Sequence, residues 1–177
     1  MAMVGLFWIA EGDIYVGAKP SGLAPGVRLT PEGVVALGER QSGFHLWEDV
    51  RALTVTDVPE KTLKRRAGVV ADLAVTMVVN LAMPMGPDRA DEPPGLMTVR
   101  LTTPDGDREL SAYAAAAVGY TTTEIELSGA LLSRLTEGAA TMSTTLAAMS
   151  EWGRTSGDGT PRGAERERLL REWAGQA

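Results

Sequence analysis

The stretch AGVVADLAVTMVVNLAMPM, residues 67–85, is the most apolar run in the chain, and the basic stretch KTLKRR precedes it. A run of this kind must leave water, either as a membrane span or as a helix enclosed by its own domain. On a helix at about 100° per residue, Asp72, Thr76 and Asn80 fall within an arc of roughly 80°. Leu73, Val75, Met77, Val78, Val79 and Leu81 occupy much of the remaining circumference. The pattern is that of a mostly buried helix with one polar stripe. A span wants about 20 predominantly apolar residues. Here Asp88 follows soon after Asp72, and Pro84 and Pro87 lie between them. An Asp near the centre of a span costs about 2.5–3.5 kcal/mol. The flanks, basic before and acidic after, match a span. A span would, however, leave the later half of the chain with one hairpin and some helices, a poor independent sheet. The sequence therefore favours burial inside a domain, and membrane embedding is not expected.

The start of this helix is written into Asp57-Val58-Pro59-Glu60: an N-cap acid, a proline in the first turn and a glutamate at N3. The spacing predicts a helix over about 59–83, weakest at Gly68 and ended by Pro84.

Before the helix the signals are β. GLFWIA and DIYVGAK flank a turn at Glu11-Gly12-Asp13, and the N-terminus is read as the first strand rather than a signal peptide. VRLT and VVALG flank Thr30-Pro31-Glu32-Gly33, a type I turn pattern. FHLW, a turn at Glu48-Asp49 and ALTVTDV follow. GPDRADEPPG, 86–95, reads as a loop. In MTVRLTT, Met97, Val99 and Leu101 alternate with Thr98, Arg100 and Thr102, and Pro104-Asp105-Gly106 turns the chain into RELSAY. Thr121 and Glu124 form a capping box for a helix with Ile125, Leu127, Leu131, Leu132 and Leu135 on one face and Gly138 as its C′ residue. A second helix, about 141–152, presents Met142, Leu146, Met149 and Trp152. The expected organisation is one domain over 1–153, a flexible linker over 154–163 and a short C-terminal helix over 164–177. Helices of this length are marginal alone, so the tail needs the body or a partner to fold against.

The ordered groups of short strands closed by an apolar-faced helix resemble the pleckstrin-homology-like (PH-like, GRAM-type) barrel. FHLWEDVRALTVTDV carries much of the likeness, through Trp47-Glu48-Asp49-Val50 ahead of a strand. MTVRLTTPDGDRELSAY and the Thr121 helix resemble that fold's closing strands and capping helix. The chain also resembles uncharacterised actinobacterial proteins, rich in Ala, Gly and Arg, that share the GLFWI start. The likeness covers roughly residues 4–137. It implies an α+β fold: an antiparallel PH-like β-barrel or roll of about seven or eight short strands, the long helix inserted before the closing hairpin, and C-terminal helices.

The chemistry is sparse. His45 is the sole histidine and lacks a partner motif, so it reads as a strand residue. There is no G-x-S-x-G elbow, no HExxH and no cysteine, which removes thiolate catalysis and disulfides and fits a reducing cytoplasm. Glu48 and Asp49 are adjacent, hence a poor acid/base pair; Asp49 is expected to accept backbone N–H bonds in its turn. No metal or cofactor is indicated. Lys61, Lys64, Arg65 and Arg66 form a small basic cluster that PH-like domains could turn to anion binding. The net charge of −6 opposes general attraction to nucleic acid or anionic membrane. Surplus apolar helical surface at 67–85 and at Leu169, Leu170 and Trp173 points to a non-catalytic binding or scaffolding module that associates with a protein partner or with itself as a homodimer. The alternatives are a domain with an apolar ligand pocket beside the long helix, and a peripheral anionic-membrane binder acting through residues 61–66.

Overall fold

Residues 1–61, 95–157 and 159–176 are described in a computed structural model, and they form two antiparallel sheets and three helices. The first sheet is a six-stranded meander: β1 Ala2–Val4, β2 Phe7–Ala10, β3 Asp13–Val16, β4 Gly26–Leu29, β5 Gly33–Leu37 and β6 Gly43–Leu46. The Glu11-Gly12 turn joins β2 to β3 with positive φ at both residues, 55° and 89°, the primed geometry whose twist matches the flanking strands. The Thr30–Gly33 turn closes through the Thr30 N–H to the Gly33 carbonyl at 3.0 Å.

The N-terminus, expected as one strand, is a hairpin. Gly5, at φ 56°, turns the chain between β1 and β2. A Cβ there would collide with Ser128 Oγ and Leu170, so the turn depends on glycine for both conformation and space.

The second sheet holds β7 Ala52–Thr56, β8 Leu96–Thr103 and β9 Gly106–Tyr113 in that order. Its alternation is as expected: Met97, Val99 and Leu101 are buried, and Arg100 is exposed. The sheets do not close into a barrel. Ala18 N–H reaches the Tyr113 carbonyl at 2.6 Å. Further along β9, the Gln41 side chain takes the place of a strand. Its Nε2 donates to the Ser111 carbonyl at 2.8 Å, and its Oε1 accepts from the Ser111 N–H at 2.7 Å. A carboxamide thus serves where a closing barrel would need a peptide ladder, and the fold is α+β with two open sheets.

The helices are α1 Thr122–Leu135, α2 Ala139–Thr155 and α3 Gly163–Trp173. The capping box is present: Thr121 Oγ1 accepts from Glu124 N–H at 3.1 Å, and Glu124 Oε2 accepts from Thr121 N–H at 3.0 Å. Gly138 does not end α1. Thr136 does, donating through N–H and Oγ1 to the Ser133 carbonyl, and Gly138 begins α2. Helix α2 runs through Thr155 and so takes in the first residues of the expected linker. Buried side chains of both sheets and all three helices meet in one core.

Residues 59–61 are extended rather than the first turn of a helix. Tyr120 N–H donates to the Pro59 carbonyl at 2.9 Å, and Lys61 N–H donates to the Tyr120 carbonyl at 2.8 Å. This parallel bridge uses the Pro59 carbonyl that a helix would need. The rest of the expected helix over about 59–83, with the run 67–85, lies outside the described residues. Among the described residues no helix is long and apolar enough to cross a membrane.

Candidate functional site

Strand β6 is built inside out. Val34, fully buried, pairs with His45, and half-buried Val35 pairs with Phe44. His45 therefore shares the core-facing side of the sheet with Val34, and Phe44 and Leu46 face outward. Phe44 is 51% exposed and Leu46 42%. With Val35 and Leu37, both half-buried, they give the outer surface at this edge an apolar character.

Gly33 supports the arrangement. A Cβ on it would collide with the His45 carbonyl and approach Phe44 Cζ to 2.9 Å, so its absence lets β5 and β6 close and gives the Phe44 ring a seat. Trp47 pins the end of the strand, its Nε1 donating to the Thr30 carbonyl at 2.7 Å.

The backbone of β6 is half used. Among the described residues it pairs with β5 alone. The Trp47 N–H points inward, to the Glu32 carbonyl at 3.4 Å. In an antiparallel ladder inward and outward residues alternate, so His45 also faces β5, and Phe44 and Leu46 direct their N–H and C=O groups to the free side. The opposite edge of the same sheet is covered: Met3 N–H donates to Thr160 Oγ1 at 3.1 Å, and α3 packs against β1.

The sequence-predicted residues lie elsewhere. Lys61 is half-buried beside Tyr120; Lys64, Arg65 and Arg66 lie outside the described residues, as do Asp72 and Asn80 with the pocket expected beside them. Leu169, Leu170 and Trp173 are buried within the chain's own core, with Trp173 edge-to-face on Trp152 at 5.7 Å. The body is thus what the tail folds against. Glu48 and Asp49 sit exposed in a 3₁₀ turn, Trp47–Asp49. Val50 N–H closes that turn onto the Trp47 carbonyl at 3.1 Å, so the expected acceptor role of Asp49 is not needed. No cluster suited to a metal occurs among the described residues.

Two hollows compete with the edge. One, about 380 Å³, lies between the β3–β4 ends and α2. Several of its polar groups are matched internally, Arg28 Nη2 with Asp13 at 2.6 Å, Arg154 with Glu151 at 3.6 Å, and Ser150 Oγ donating to the Gly12 carbonyl at 2.7 Å, whereas Arg28 Nε is buried with no hydrogen-bond partner among the described residues. The other, about 430 Å³, is lined by Trp8, Lys19, Ala114 and Ala115; the lining is mostly apolar, and the Trp8 Nε1 is buried with no hydrogen-bond partner among the described residues.

Sequence reasoning missed Phe44 and Leu46 because alternation assigns apolar residues inward. The inverted signal in FHL, a histidine between two apolar residues, shows only once the register with β5 is known. No protein-family model matches the chain, and neither a curated protein nor a solved structure is significantly similar to it.

Proposed function

We propose that this chain is a non-catalytic protein-binding module that receives an extended segment against the free edge of β6. One observation carries the reading: Phe44 and Leu46 combine outward backbone N–H and C=O groups with exposed apolar side chains on a strand that no described element covers. Edge strands left in this state recruit another strand, with main-chain bonds supplying affinity and alternate side chains specificity. The scaffold supports the same role. Gly33, Trp47 and the tight turns hold the edge in a set conformation before any partner arrives, which lowers the ordering cost of binding.

The test exploits the backbone of Leu46, whose φ is −62° and whose N–H is not used by β5. Proline fits that φ, leaves the bonds to β5 in place, and removes the outward donor together with the Leu46 side chain. Displayed strand-forming peptides selected on the native chain are expected to lose binding to Leu46→Pro while its circular dichroism and melting stay native. Peptides that bind both chains equally would overturn the edge as the recognition element.

A further inference from the structure

We infer that the hollow beside Trp8 binds a small amphiphilic acid, an apolar body carrying one carboxylate. The site is separate from the β6 edge and does not depend on how that edge is used. It opens where two strands run out: Ala18 and Lys19 follow β3, and Ala114, Ala115 and Ala117 follow β9. Ala18 N–H joins the two segments through the Tyr113 carbonyl at 2.6 Å. The alanines place only methyl groups beside Trp8, and a space of about 430 Å³ is left. That volume falls within the roughly 300–1,000 Å³ of small-ligand sites, which are mostly apolar with a few polar groups that fix orientation.

The polar side chains of the lining are of one kind. None carries a carboxylate, hydroxyl or amide, so none offers an oxygen acceptor. Two backbone donors of the wall are already spent, Ala114 N–H on the Gly95 carbonyl and Ala115 N–H on the Tyr120 hydroxyl, both at 2.8 Å. Two side-chain donors remain. Trp8 Nε1 is buried with no hydrogen-bond partner among the described residues, and exposed Lys19 makes no ion pair among them. A buried N–H without an acceptor is a cost that a ligand oxygen removes. An ammonium beside an apolar hollow favours an anion and repels a cation. A carboxylate brings negative charge and an oxygen for each donor, and its apolar body suits walls of alanine and indole.

Octanoate, octan-1-ol and octylammonium are suitable probes, because they share one apolar chain and differ in the head. Nitrogen-15 NMR titration of the full chain reads the Trp8 indole N–H directly. Octanoate is expected to saturate one site with a dissociation constant on the order of 1 mM, to shift that indole signal, and to bind more tightly than the other two probes. Lys19→Met is expected to weaken octanoate about fivefold and to leave octan-1-ol unchanged. Trp8→Phe, which keeps a ring and removes the donor, is expected to weaken octanoate about tenfold. Ala117→Trp fills the hollow and is expected to abolish binding of both. Lys19 and Ala117 are exposed, so these two variants test the site even where Trp8→Phe folds poorly. No saturable octanoate binding up to about 10 mM would overturn the site. Equal affinity for octanoate and octan-1-ol, with Lys19→Met unaffected, would overturn the carboxylate. Unchanged binding by Ala117→Trp would overturn the location.

Discussion

The Arg166 guanidinium meets the Glu124 carboxylate at 2.5 Å, where Glu124 is 2% exposed and the Arg166 side chain 15%. One carboxylate thereby serves two elements: Oε2 accepts from Thr121 N–H in the α1 cap, and Oε1 accepts from Arg166 Nε on α3. The tail is tied to the body by charge as well as by Leu169, Leu170 and Trp173.

Arg166→Met is expected to cost on the order of 3 kcal/mol, because it leaves a buried carboxylate with its cap but no counter-charge. Glu124→Gln keeps the acceptor on Oε1 and is expected to cost less. Urea unfolding of the two variants measures the difference. A loss below about 0.5 kcal/mol for Arg166→Met, the level of an exposed ion pair, would show that α3 is not docked as described.

Gly153 lies within α2 where a Cβ would strike Ile9 of β2, whereas Gly129 in α1 has open space. Glycine to alanine in a helix interior ordinarily stabilises by about 0.5–1 kcal/mol. Gly129→Ala is expected to follow that rule. Gly153→Ala is expected to reverse it, losing about 1–3 kcal/mol through overpacking. Thermal melts of both read the sign, and a stabilised Gly153→Ala would mean that α2 sits farther from the sheet.

Gln41 donates to the carbonyls of Gly26, Leu37 and Ser111. In Gln41→Glu an ionised carboxylate would face these acceptors with nothing to donate. Its protonated form is favoured in the fold, so the folded pKa rises above the unfolded value. The variant is expected to be nearest to the parent below about pH 4 and to weaken as pH rises above it. Stability measured from pH 3 to 7, against the parent chain, checks this. A flat difference between the two would remove Gln41 as the link between the sheets.

Tyr120 is fully buried, and its hydroxyl accepts from Ala115 N–H at 2.8 Å. Burial raises its pKa, with hydrogen bonding to Ala115 and Ala116 opposing more weakly. With the folded pKa raised, the neutral phenol supports the fold below its unfolded pKa near 10, and that support is lost as pH climbs through the folded value. Ultraviolet titration is expected to show one tyrosine ionising last, together with alkaline unfolding. Tyr120→Phe is expected to cost about 1–3 kcal/mol near neutrality, since the Ala115 N–H loses its acceptor. A Tyr120 that titrates normally with the fold intact would contradict its burial.

Features that depend on neighbours in sequence were legible before any coordinates. The Thr121–Glu124 box, the Glu11-Gly12 turn, the alternation of β8 and the shared face of Leu169, Leu170 and Trp173 each follow from a handful of adjacent residues. The candidate site was not legible, because FHL reads as an ordinary strand with its apolar residues inward. The Val34–His45 pairing reverses that orientation, and register between strands is not encoded within either strand alone.

By itself the sequence determined the α+β composition, most turns and caps, and which helical faces are apolar, because these depend on backbone conformations and side-chain periods set over a few residues. Only the tertiary structure decided that the sheets stay open, that a glutamine amide stands in for a strand at Ser111, and that Gly5 and Gly153 mark close approaches. It also decided that Phe44 and Leu46 face outward, beside a backbone edge that no other described strand pairs with. Each of these depends on two segments distant in sequence arriving at one place, where the space left and the donors unmatched are properties of the assembly and of neither segment alone.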